Sequence, residues 1–334
     1  MIELAATILA LFSVLIPTKT WYRPDEPIIV RIDHKAAVEL RLTDFLGRRQ
    51  QATAAVIVQP GGEIDLLKTF APLAVGTYIV TAFDVGTRDA STRDATTRDV
   101  GARDVGARPG TFIGTPLVMS VIGDTRGGAN PSKPMVVNVR PLLAAIIETP
   151  KGNLTVAFYF DKAPNTVLNF EQLAMGGFYD GITFHRVVPG FVVQAGDPLG
   201  DGTGGPGYQI DAEFNPRPHI KGVLSMARQG DPMERAGSAP RPEFADSASS
   251  QFFICLDYAK TQRLDGRYTA FAQVVEGMDV LDKLQENPVA DAATGRPVKP
   301  DVISRVRIVP VTPDFNPYPK LLEILSTPAT RPAE

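Results

Sequence analysis

Hydrophobic and polar residues alternate in short bursts along the first 140 positions. VELRL (38–42) alternates strictly. IIVRI (28–32), AAVIV (54–58), TYIVTAF (77–83), PLVMSVI (116–122) and MVVNV (135–139) are rich in the β-branched and aromatic residues that favour strands. Turn residues punctuate these runs. Roughly six or seven strands in about 120 residues predict a β-sandwich of immunoglobulin-like type over 17–140.

The pattern changes after Pro141. AAIIETPKGNLTVAFYF (144–160) reads as two strands joined at Thr149-Pro150-Lys151-Gly152. NTVLNFEQLAM (165–175) predicts a helix carrying apolar Val167, Leu168, Phe170, Leu173 and Ala174, and Gly176-Gly177 stops it. MDVLDKLQEN (278–287) predicts a second helix, ended by Pro288. Strand and turn patterns fill the interval between the two helices. These signals define a second, mainly β domain over 141–312. The remainder, 313–334, reads as a mobile tail with at most two helical turns.

Two segments stand apart from both domains. Leu4–Ile16 (LAATILALFSVLI) is an apolar run of signal-peptide length, too short to span a membrane comfortably. It lacks Lys or Arg ahead of it and an A-x-A site behind it. We read residues 1–16 as an export signal to the periplasm or cell envelope, with a buried first strand in a cytoplasmic protein as the alternative. The second segment, VGTRDASTRDATTRDVGARDVGARP (85–109), repeats every five residues. That period fits neither helix nor strand, and the segment lacks large apolar groups. It reads as a solvated insertion over 85–110 between two strands of one domain.

Composition narrows the function. Apolar residues make up 44% and charged residues 21%, so the chain can form a folded core. A net charge of −3 gives no support for a nucleic-acid partner. One cysteine, Cys255, excludes an internal disulfide, and this cysteine poverty fits a bacterial protein of either compartment. Three histidines and one cysteine without carboxylates at ligand spacing predict no metal site. The glycine-rich GDPLGDGTGGPGY (196–208) leads into a strand pattern, whereas phosphate loops lead into a helix N-terminus. Ser225 lies in GVLSMA, which lacks the nucleophile elbow, and spacing identifies no Asp partner for His185.

What remains is a set of polar groups in apolar surroundings: FHRVVPGFVVQ (184–194), GVLSMARQ (222–229), SSQFFI (249–254) and RLDGRYTAF (263–271). With NFEQLAMGGFYDGITFHR, the glycine-rich loop and LDGRYTAFAQVVEGMDVLDKL, they occur in one order from about Ala144 to Val311. This half of the chain resembles the cyclophilin family of peptidyl-prolyl cis-trans isomerases. The resemblance implies a closed eight-stranded antiparallel β-barrel capped by two helices. It matches the family's catalytic arginine to Arg186, beside His185, and its substrate-orienting glutamine to Gln194. Phe191, Val192, Phe253 and Leu264 match the proline pocket, Gln251 a second site glutamine, and Ala227 the substrate-backbone strand. It implies proline-containing polypeptide substrates, no cofactor and a monomer. A protein partner for the N-terminal domain belongs to the same reading.

Elementary chemistry explains why so sparse an inventory suffices. Rotation about an X-Pro bond breaks amide resonance against a barrier of about 18–20 kcal/mol. No bond to another group is made or cut, so neither nucleophile nor proton shuttle is required. A donor aimed at the prolyl nitrogen favours its lone pair as the amide twists, and arginine stays charged and presents a rigid fork. Reaching milliseconds takes roughly four to five decades, about 5.5–7 kcal/mol of selective stabilisation.

The chain departs from the family pattern at several places. Arg263 stands where many relatives carry a pocket tryptophan, and Tyr268 replaces the pocket histidine. Arg228 and Gln229 replace an Asn-Ala pair, and the loop 230–249 is longer than usual. The first departure predicts weakened binding of cyclosporin-type ligands. Against the isomerase stands a non-catalytic peptide-binding or chaperone module on the same scaffold.

Overall fold

The computed structural model describes residues 14–23, 26–44, 56–70, 76–84, 112–123, 134–235 and 238–327. The repeat at 85–109, and residues 4–13 of the apolar run, lie outside the described residues. The chain divides into two compact units, Ile2–Leu142 with Pro310–Phe315 and Leu143–Val309 with Asn316–Glu334.

In the N-terminal unit, β1 (Leu15–Pro17), β3 (Ile29–Ile32) and β6 (Glu63–Asp65) form a three-stranded antiparallel sheet in the order β1-β3-β6. A six-stranded sheet contains β2 (Trp21–Tyr22), β4 (Val38–Asp44), β5 (Val56–Val58), β7 (Gly76–Asp84), β8 (Phe112–Gly123) and β9 (Pro134–Pro141). Its order is β2-β9-β8-β7-β4-β5. The strict alternation of VELRL does what a period of two demands. Val38, Leu40 and Leu42 are buried while Glu39 and Arg41 are only partly covered. Leu15, Val30, Ile32 and Ile64 from the small sheet share one core with Leu40, Val80, Leu117 and Met119 from the large one. A short helix, α1 (Leu66–Phe70), adds Leu66 and Phe70 to that core.

The C-terminal unit is built on one eight-stranded sheet. Its strands are β10 (Leu143–Thr149), β11 (Gly152–Phe158), β12 (Arg186–Val188), β13 (Val192–Ala195), β14 (Val223–Met226), β15 (Phe252–Cys255), β16 (Ala270–Glu276) and β19 (Arg305–Pro310). The order β12-β13-β15-β14-β16-β11-β10-β19 leaves β12 and β19 as edges. The closed barrel expected from the sequence is therefore an open, curled sheet at the level of strand ladders. Near the two edges, a single bridge joins Thr183 to Val302, and Phe184 N–H donates to Asp301 O at 2.8 Å. A separate hairpin pairs β17 (Val289–Asp291) with β18 (Arg296–Pro297).

Two helices correspond to the predicted ones. In α2 (Pro164–Met175), Val167, Phe170 and Ala174 are buried. The Phe170 ring meets Tyr179 at 4.9 Å, Phe271 at 5.4 Å, Phe252 at 5.5 Å and Phe158 at 5.9 Å between centroids. Two shorter helices, α3 (Pro242–Ala245) and α4 (Tyr258–Thr261), lie in the loops, the second running into a 3-10 turn at Gln262–Leu264. In α5 (Met278–Gln285), Val280, Leu281 and Leu284 turn inward. The segment after 313 is more ordered than its sequence pattern predicts. There α6 (Tyr318–Ser326) buries Leu321, and the Tyr318 hydroxyl donates to Leu143 O at 2.7 Å. Burial of Leu321 and Tyr318 and the tyrosine's hydroxyl bond anchor this part of the expected mobile tail.

Candidate active site

The site begins with a hairpin. Val188-Pro189-Gly190-Phe191 turns the chain between β12 and β13, with Phe191 N–H donating to Val188 O at 2.9 Å. Proline presets the first central position, and the second needs the positive φ that Gly190 adopts at 70°. The turn fixes the register, so Arg186 stands opposite Gln194. Gln194 in turn stands opposite Phe253 on β15. Directly opposed residues share a face of the sheet. A cation, an amide and an aromatic ring thus form one row across three strands.

This row lines a cavity of about 400 Å³ together with Phe191, Val192, Ala227 and Leu264. Arg228, Arg263, Arg267 and Tyr268 complete its wall. Val192, Phe253 and Leu264 are buried, and the Tyr268 ring meets Phe253 edge-on at 5.6 Å. Arg186 Nη1 donates to Gln194 Oε1 at 3.3 Å. Gln194 Nε2 donates to Gln251 Oε1 at 3.1 Å, and Gln251 Nε2 to Gly202 O at 3.0 Å and Gly204 O at 2.9 Å. Gln251 is not among the cavity-lining residues but braces Gln194. The glycine-rich loop supplies carbonyls to this relay, consistent with its sequence leading into no helix. Buried Asp197 shapes that loop by accepting Leu199 N–H at 2.8 Å and Asp201 N–H at 2.9 Å. Gly196 is obligatory there, since a Cβ at its φ of 90° would lie 2.3 Å from Ser250 O.

Partial burial lowers the Arg186 pKa, the nearby Arg263 guanidinium lowers it further, and Tyr268 opposes both. The group still carries its charge at neutral pH. His185 is placed differently. It is buried beside Arg186 but is not among the cavity-lining residues, and neither ring nitrogen has a hydrogen-bond partner among the described residues. Burial lowers its pKa, with Asp197 acting in the opposite direction.

Two arrangements were not anticipated from the sequence. Ser225 Oγ lies 2.9 Å from His219 Nε2, and His219 Nδ1 lies 2.9 Å from Asp265 Oδ1. The order resembles a hydrolytic triad, but Ser225 and His219 are fully buried, so no substrate reaches the hydroxyl. The His219 ring instead stacks beside Phe253 at 6.3 Å and ties β14 to the turn that follows Leu264. The second is a rim clamp. Glu234, from the long loop, binds Arg228 Nη2 at 2.7 Å and Arg267 Nε at 2.9 Å. The Arg228 guanidinium lies 4.3 Å from the centre of the Tyr268 ring. Glu234 is one acid among several in a loop of no regular period, so spacing could not have singled it out.

The family model for cyclophilin type peptidyl-prolyl cis-trans isomerases matches residues 144–308. A peptidyl-prolyl cis-trans isomerase of Synechococcus elongatus is 48% identical over 129 residues, which are 39% of this chain and 78% of that protein. The chain belongs to the cyclophilin-type isomerase family. Peptidyl-prolyl cis-trans isomerase B of Bacillus subtilis is 44% identical over 133 residues, 39% of this chain and 82% of the relative. A Helicobacter pylori isomerase is 40% identical over 152 residues, 44% of this chain and 83% of the relative.

The cyclophilin unit is thus a peptidyl-prolyl isomerase scaffold whose cavity walls carry Arg186, Gln194, Phe191, Val192, Ala227, Phe253, Leu264 and Tyr268 together. Gln251, hydrogen-bonded to Gln194, and buried His185 are not among the residues lining this cavity.

Proposed function

We propose that this cyclophilin accelerates X-Pro rotation by aiming Arg186 at the prolyl nitrogen while the pyrrolidine ring rests on Phe191, Val192, Phe253 and Leu264. One observation carries this reading: Arg186 and Gln194 are hydrogen-bonded on adjacent strands and line one cavity with Phe191, Val192, Phe253 and Leu264. The donor is therefore oriented before substrate arrives, so little reorganisation is needed as the amide twists. Gln194 and the Ala227 segment align the peptide, and the substrates are proline-containing polypeptides.

A protease-coupled assay on an Ala-Pro peptide tests the mechanism. Arg186→Ala should lower kcat/KM by about 10²- to 10³-fold, the loss typical of removing one oriented transition-state donor. Equal rates in the two proteins would favour the non-catalytic peptide-binding module instead.

In this proposal the curled sheet works as a barrel, with the bridge from Thr183 to Val302 drawing its edges together. The N-terminal sandwich, of immunoglobulin-like type, serves as a docking module for a protein partner, and the chain acts as a monomer. The apolar run at 4–16 supports export. In this reading processing precedes Leu15, which is buried in the N-terminal core. N-terminal sequencing of the mature protein decides this, and an intact Met1 would overturn cleavage.

A further inference from the structure

Four guanidiniums line the cavity: Arg186, Arg228, Arg263 and Arg267. A single carboxylate, Glu234, answers Arg228 and Arg267 together. Arg228 is further committed, since it also donates to Gln229 O at 2.9 Å and its side chain is 2% exposed. Arg186 also lacks a carboxylate among the described residues but is partly buried and donates to Gln194; Arg263 differs from all three. It is exposed, its guanidinium lies 4.6 Å from the centre of the Phe191 ring, and no carboxylate among the described residues pairs with it. The excess is local, because the whole chain carries a net charge of −3.

We propose that Arg263 makes this cyclophilin selective for acidic residues, aspartate or glutamate, directly flanking the isomerised proline. The inference rests on the assignment of Phe191 to the proline seat. A residue beside the proline has its Cα about 2.9 Å (cis) to 3.8 Å (trans) from the proline Cα, so its side chain lies close to the wall on which Arg263 lies. The guanidinium lies over the Phe191 ring, and its donors can still meet a carboxylate. A cleft with low-dielectric walls strengthens that field over the one at an open surface. A tryptophan at this position would offer apolar area and one neutral donor. Arginine changes the preference from shape to charge.

The test uses the full chain and three sets of peptides: Glu-Pro against Lys-Pro, Pro-Glu against Pro-Lys, and neutral Ala-Pro as reference. The readout is the ratio of kcat/KM within each charged pair, so a general loss of activity in a variant cancels. In the wild type the acidic member of at least one pair should exceed the basic member by about 5- to 30-fold, since attraction and repulsion add. About 1 M salt, where the screening length is near 3 Å, should compress that ratio toward unity. Arg263→Glu should invert it, and Arg263→Lys should keep its sign. A wild-type ratio near one in both pairs, or the same ratio in Arg263→Glu, overturns the proposal. If Arg263→Glu fails to fold, Arg263→Gln should bring the ratio close to one, and an unchanged ratio in that variant or across the wild-type salt series overturns the proposal equally. Absence of turnover with Ala-Pro overturns the isomerase mechanism and not the selectivity. The ratios are then read as peptide affinities by fluorescence anisotropy, with the same outcomes deciding.

Discussion

Arg186 and Gln194 face each other across the β12–β13 ladder, and the arginine's Nη1 donates to the amide oxygen at 3.3 Å. The same glutamine is held from behind by Gln251 at 3.1 Å. The orientation of the guanidinium thus depends on a relay that ends in the carbonyls of the glycine-rich loop. Gln251→Ala should leave Gln194 unbraced and lower kcat about 3- to 10-fold, the range expected for one ordinary hydrogen bond. KM should change little. Single-turnover kinetics on an Ala-Pro peptide separates the two, and a change confined to KM would assign Gln251 to binding.

Phe170 is the centre of the aromatic core of the isomerase unit and is 1% exposed. Phe170→Ala removes contacts to four rings and leaves a cavity that α2 cannot refill. The expected cost is about 3–5 kcal/mol of stability. Urea denaturation followed by near-UV circular dichroism measures it, and a loss below about 1 kcal/mol would mean that the core collapses around the gap.

Asp231 anchors the long loop. It accepts from Arg241 Nη2 at 2.8 Å and from the Arg241 and Met233 backbone N–H groups at 3.0 Å and 2.9 Å. The Arg241 guanidinium holds its carboxyl well below the usual carboxylate range. A carboxyl with a depressed folded pKa stabilises the fold above its unfolded pKa, near 4, and the gain drains away as pH falls toward the folded value. Asp231→Asn should therefore destabilise at pH 7 and lose most of that effect by about pH 2. Denaturation midpoints of both proteins at the two pH values measure it. An equal gap at both would remove the ion pair as the cause.

His185 acts with the same sign in a higher pH window. Burial lowers its folded pKa, so below about pH 6.5 the unfolded chain binds the proton more readily and stability is lost as pH falls. His185→Gln should flatten the pH dependence of the denaturation midpoint between about pH 7 and 5. Activity should show no step in that window, because His185 does not line the cavity. A histidine-like inflection in kcat/KM that vanishes in His185→Gln would restore a chemical role for it.

Arg263 lies over the Phe191 ring, at the position where the family resemblance puts the tryptophan that cyclosporin-type ligands exploit. Arg263→Trp should strengthen binding of such a ligand at least about tenfold, or about 1.4 kcal/mol. Titration calorimetry measures it. Nanomolar affinity in the wild type would show that the arginine swings aside at no cost.

Much of this architecture is readable from one chain of letters. A period of two in VELRL can bury only one face, and the structure buries Val38, Leu40 and Leu42. The Pro-Gly pair at 189–190 admits few turns, and that turn alone sets Arg186 against Gln194. Local geometry of this kind depends on neighbours in sequence, which a sequence displays. The C-terminal segment is the converse case. Tyr318 is held by a carbonyl at Leu143, 175 positions away, and no local pattern reports such a partner.

The sequence by itself determined many of the strands, the two main helices and the residue types proposed to meet an X-Pro bond, because backbone sterics and periodicity are local. Only the tertiary structure decided which of those residues share a wall. It buried His185, and it buried Ser225 with His219 beside a half-buried Asp265. It also joined Glu234 to two arginines and left Arg263 without a carboxylate among the described residues. Charge pairing and burial depend on distances between segments far apart in the chain, and folding alone sets those distances.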